Sequence, residues 1–75
     1  MNRTPQQVVD LANAIARSNY MVMGYVVREG YRFDRARHPQ EQQCWRMACQ
    51  AFDLIDGTDV VGAVEELEDE EAAAS

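Results

Sequence analysis

The sequence has no lysine, one histidine, one tryptophan and two cysteines, and it contains no long apolar run. Each shortage excludes something. Nothing approaches the ~20 consecutive apolar residues that span a bilayer, so no membrane contact is expected. No signal-peptide-like stretch follows Met1-Asn2-Arg3-Thr4-Pro5-Gln6-Gln7, which points to a cytoplasmic location. Cys44 and Cys49 stand five residues apart, roughly 140° around one helix, so they can neither bridge nor share a tetrahedral ion within it. His38 alone cannot complete a ligand set, and neither metal nor cofactor is expected. A chain of 75 residues supplies a thin core and little wall for a substrate cleft. A nucleophile–base pair would need His38 with a cysteine, and no neighbour orients the imidazole. A non-enzymatic protein without catalytic residues is therefore expected.

The charge that is present is divided unevenly. All seven arginines lie in residues 1–50, against Asp10, Glu29, Asp34 and Glu41, a balance of +3. Residues 51–75 hold nine acids and no base, a balance of −9, and the whole chain carries −6. An acidic end of this kind suits a basic partner, although acidic ends also serve solubility. The use of arginine without lysine reads as the compositional bias of a GC-rich genome.

Helical periodicity organises most of the chain. Thr4-Pro5-Gln6-Gln7 has the form of a capping box with proline at the first helical position. Steps of about 100° per residue align Leu11, Ala12, Ile15, Val22 and Val26, predicting one long helix from 5 to about 28 stopped by Gly30. An alternative α+β reading places a hairpin near residues 20–35, because Tyr20–Val27 is rich in β-branched and aromatic residues. Its strand alternation is poor, and Glu29-Gly30 is not a favoured two-residue turn. After an irregular connector, Pro39 opens a second helix with Cys44, Met47, Ala48, Ala51, Phe52, Leu54 and Ile55 on one face. Gly57 ends it, and Thr58-Asp59 caps a third helix with Val60, Ala63, Val64 and Leu67 inward. Like charges four apart, Glu65/Asp69 and Glu66/Glu70, should fray that helix near residue 68. The expectation is a single all-α three-helix domain over 1–68, possible as a dimer, with 69–75 an acidic mobile tail.

Three surfaces could meet partners. The carboxylates Glu65, Glu66, Glu68, Asp69, Glu70 and Glu71 fit a host protein with a basic surface. Tyr20, Met21, Tyr25, Tyr31 and Phe33 are large apolar residues in excess of what three short helices cover, and they are candidates for a partner or homodimer surface. Plain core is expected of Val8, Leu11, Ile15, Val22, Phe52, Ile55 and Leu67. Arg28, Arg32, Arg35 and Arg37 surround Tyr31 and Phe33 in a basic loop that could hold phosphates and stack bases. Glu29 and Asp34 interrupt that loop and the net charge repels a polyanion, so nucleic acid is the lesser partner. The loop could equally pair with the chain's own acidic end.

In size, acidity and use of arginine without lysine, the chain resembles the small accessory proteins of phages and prophages, including anti-CRISPR proteins and other inhibitors of host complexes. Many of these present carboxylates to surfaces that normally hold nucleic acid. The resemblance implies a protein that works in the host cytoplasm by occupying another protein's surface, with the carboxylates of 65–71 as contacts. The alternative is a homo-oligomeric regulatory or structural subunit, touching nucleic acid through the loop 28–38.

Overall fold

Thr4 starts the first helix as its sequence predicts. In the computed structural model, which describes residues 3–74, the Thr4 hydroxyl accepts from the Gln7 N–H and the Gln7 side chain accepts from the Thr4 N–H at 2.9 Å. Together with Pro5 at the first position, this satisfies donors that every helix start leaves open. Helix α1 then runs Pro5–Val22 and stops short of the expected residue 28.

The stop is glycine, six residues before the expected one. Gly24 adopts φ 98°, a left-handed conformation that costs glycine little. Its N–H donates to the Met21 carbonyl at 3.0 Å and the Tyr25 N–H to the Tyr20 carbonyl at 3.4 Å. This is the paired bonding of a Schellman end, and it consumes carbonyls that a longer helix would have used. Residues 25–28 follow without regular structure, and Gly30 (φ 79°) serves a tight turn in which the Tyr31 N–H reaches the Arg28 carbonyl. A 3₁₀ turn spans Phe33–Arg35. No strand occurs among the described residues, so the hairpin near residues 20–35 is not formed and the fold is all-α.

Helix α2 spans Pro39–Asp56, with His38 at its N-cap accepting the Gln40 N–H on Nδ1. Gly57, at φ 66°, ends it. Helix α3 spans Val60–Ala74, and Asp59 caps it by accepting the Gly62 N–H. Regular helix continues six residues past residue 68, where the like charges four apart are expected to fray it. Leu67 is buried, Glu71 meets two arginines, and Ala72–Ala74 are the strongest helix formers, which offsets the carboxylate repulsion.

Two apolar clusters hold the layers together. Val8, Val9 and Ala12 of α1 meet Phe52 of α2 and Val60, Ala63 and Leu67 of α3. Ala16 and Tyr20 meet Cys44 and Ala48 of α2 with Phe33 from the connector. The start of α1 therefore lies by the end of α2, and the helices run antiparallel. Their seam is made by small residues: Ala12, Ala16 and Ala48 are fully buried, so the two backbones approach closely. That choice rotates both helices away from the faces that hydrophobicity alone selects. Leu11, Val22 and Ile55, expected in the core, lie exposed instead, and so do Met47 and Leu54 from the apolar face of the second helix. The molecule measures 37 × 30 × 19 Å, a slab about two helices thick.

Candidate functional site

Helix α3 presents the acidic surface. Val60, Ala63 and Leu67 face the core, which turns Glu65, Glu66, Glu68, Asp69 and Glu70 to solvent. None of these five is ion-paired among the described residues. Glu71 differs. One turn beyond Leu67, it lies on the packed side and reaches back over the connector. Its carboxylate meets Arg35 at 2.9 Å and Arg32 at 3.9 Å. The same pairing places positive charge beside the C-terminal end of the helix, where the helix dipole favours it. The six carboxylates predicted as one site thus divide into five that are unpaired and one that anchors the helix.

The basic loop divides in the same way. Arg32 binds Asp34 through two hydrogen bonds of 3.1 and 2.6 Å as well as approaching Glu71. Arg28 and Arg37 are exposed and make no ion pair among the described residues. Asp34 is the buried member of this group, its side chain 1% exposed. Burial opposes its charge, but hydrogen bonds from Arg32 and Asn13 and the arginine's charge outweigh it, so its pKa lies below the usual carboxylate value. Asn13 completes the network. Its amide donates to the Val9 carbonyl and to Asp34, each at 3.0 Å, and its oxygen accepts the Phe33 N–H. This residue ties the connector to α1. A polar residue on the flank of an apolar stripe gave the only sequence signal for it.

The aromatic residues expected at an interface are mostly consumed internally. Tyr20 and Phe33 are buried, Tyr31 is half-buried, and Met21 and Tyr25 remain exposed. Tyr20 stacks on Tyr25 and packs edge-on against Phe33, which packs edge-on against Tyr31. The Tyr31 hydroxyl donates to Glu41 at 2.6 Å. That bond, with burial and the carboxylate's charge, pushes its pKa up to about 12. The connector is pinned further by Arg17, which donates to the Val27 carbonyl at 3.3 Å.

Met21, Met23, Tyr25 and Val26 leave exposed apolar surface at the end of α1 and the start of the connector, and a second such surface runs along the helices. Leu11, Ile15 and Val22 share one side of α1, and Met47, Ala51, Leu54 and Ile55 share the adjoining side of α2, away from α3. A groove of about 170 Å³ lined by Arg3, Ile15, Ala51, Phe52, Ile55 and Asp56 runs between them. Val22 and Ile55 are each 86% exposed and Leu54 77%. The sequence pattern did not reveal this surface, because the same residues looked like core.

The cysteines sit at different depths. Cys44 is buried against Met23, with sulfurs 3.8 Å apart, and Cys49 is half-buried. Burial raises both thiol pKa values, for Cys44 with help from Glu41, which keeps them in the less reactive protonated form. No helix among the described residues is long and apolar enough to cross a membrane. Compared with known proteins, the chain matches no family model and has no significant match among curated proteins or solved structures.

Proposed function

We propose that the chain is a non-enzymatic protein-binding module that inhibits or regulates a host protein by occupying its surface in the host cytoplasm. The recognition surface is the outer face of α3. One observation carries this reading. Among the described residues, Glu65, Glu66, Glu68, Asp69 and Glu70 have no ion-pair partner, on a helix fixed at one end by the Asp59 cap and at the other by Glu71. A fixed array of carboxylates costs little ordering entropy when it binds. The pairs Glu65/Asp69 and Glu66/Glu70 each hold about 0.2–0.5 kcal/mol of repulsion that a basic partner relieves. The resemblance to phage-encoded inhibitors points the same way.

The reading in which the arginine loop grips nucleic acid has less to work with, since Arg32 and Arg35 are held by the chain's own carboxylates. The test is affinity capture from bacterial lysate with the native chain and with Glu65/Glu66/Glu68→Gln. A stoichiometric protein partner captured by the first and lost by the second supports the proposal. Equal capture by both, or recovery of nucleic acid alone, refutes it.

A further inference from the structure

We infer that the apolar face of α1 and α2 is a self-association surface that seats a second copy of this chain. The face differs from the acidic surface of α3, so this inference and the functional reading fail separately. It comprises Leu11, Ile15 and Val22 on α1 with Met47, Leu54 and Ile55 on α2, around the groove floored by Ala51.

Area supports a partner of this size. A folded monomer of 8.5 kDa is expected to expose roughly 4,650 Å², whereas this chain exposes 5414 Å². The excess of roughly 750 Å², summed over the whole molecule with this face holding part of it, is comparable with the ~800 Å² that each partner contributes to a standard interface. The radius of gyration agrees, at 12.4 Å against about 11 Å for a compact chain of this length. Both quantities describe a chain more open than a compact monomer of its length.

Charge selects a second copy over a foreign protein. At a net charge of −6, copies of this chain repel wherever their charges face each other. This face avoids that. Gln7, Ala14 and Ser18 flank it on α1 and Gln43 and Gln50 on α2, while Asp10, Arg17, Arg46 and Asp53 fall on the far sides of their helices. The two charges that do line the groove, Arg3 and Asp56, are paired with each other, so no unpaired carboxylate or arginine among the described residues faces the contact, in keeping with the charge-depleted centres of homodimer interfaces. Two antiparallel helices related by a two-fold axis give a four-helix layer, in which Leu54 of each copy enters the groove of the other between Ile15 and Ile55. The two α3 helices then lie on the outer surfaces, both free for partners.

The test is the molar mass of the full chain by light scattering from low to high micromolar concentration. The native protein is expected at twice 8.5 kDa in the upper part of that range. Leu54→Glu should raise the dissociation constant roughly a hundredfold, as loss of a central anchor does, with the helical circular dichroism unchanged because Leu54 is exposed in the monomer. Val61→Glu, on exposed α3, should leave the mass as it was. A native monomer at high micromolar concentration overturns the inference, even if a foreign protein binds this face. So does a dimer that survives both Leu54→Glu and Ile55→Glu, or one dissociated by Val61→Glu.

Discussion

Tyr25 lies parallel to Tyr20 with ring centroids 4.5 Å apart, and Gly24 makes that stacking possible. In a continuous helix, residues five apart point in different directions. The left-handed glycine reverses the chain, so Tyr25, three residues beyond Val22, falls back on the last turn, as Schellman ends allow. The stack closes over Phe33 and starts the return of the connector across α1 and α2.

Gly24→Ala discriminates this arrangement from a long first helix by sign. With φ at 98°, a side chain should cost about 1–2 kcal/mol through backbone strain, although a Cβ there meets nothing within 4 Å. Were residues 5–28 one helix, the same change would stabilise by about 1 kcal/mol. Urea unfolding of the two proteins decides between them.

Asn13→Ala should cost about 1–3 kcal/mol, because it leaves the Phe33 N–H and part of Asp34 without partners. Chemical denaturation at neutral pH measures this. Unchanged stability would mean that the connector does not depend on α1 for its position.

Asp34 should also shape the acid limb of stability. Its folded pKa is below the unfolded value, so its contribution is complete above the ordinary carboxylate value of 3.8 and is lost as pH falls through the folded pKa. Thermal unfolding against pH should show this loss, and Asp34→Asn should flatten it. For Tyr31 the sign is opposite. With a folded pKa of about 12 against 10.0, its contribution holds below pH 10 and disappears as the pH rises towards 12. Tyr31→Phe should remove the phenol that ionises near pH 12 in an ultraviolet titration.

The two cysteines should respond unequally. Cys44→Ser places a hydroxyl against Met23 in the core and should cost roughly 1–3 kcal/mol. Cys49→Ser, half-buried, should cost clearly less. A thiol reagent that labels native Cys44 faster than Cys49 would contradict the burial described above.

The parts of the fold that could be read from the sequence are those set by local chemistry. Thr4 with Gln7, Gly57 and Asp59 each act through bonds within four residues, Pro5 and Pro39 act through their fixed φ at the helix start, and each works as its residue type predicts. Gly24 carried the same kind of signal, but it fell on the polar side of an extended apolar period and was absorbed into it. The helix faces were misjudged for a different reason. Apolar periodicity weights Leu, Ile and Val above Ala, whereas close approach of α1 and α2 selects Ala12, Ala16 and Ala48 for the seam. The large residues displaced from that seam form the open face. The Asn13–Asp34 bond spans 21 positions in sequence, and no local pattern encodes it. The pairing of the arginine loop with the acidic end is one of the sequence's alternatives, and Glu71 is the carboxylate that makes it, with Arg35 and Arg32; no local pattern singles Glu71 out from its acidic neighbours.

The most direct measurement is the salt dependence of association between the chain and its captured partner, for the native protein and for Glu65/Glu66/Glu68→Gln. Exposed carboxylates act over a Debye length of ~8 Å at physiological ionic strength, so added salt should slow association of the native chain steeply. The variant should associate more slowly at low salt and respond little to further salt, while its thermal stability stays near that of the native chain. Association that is indifferent both to salt and to removal of the three charges would contradict recognition through α3.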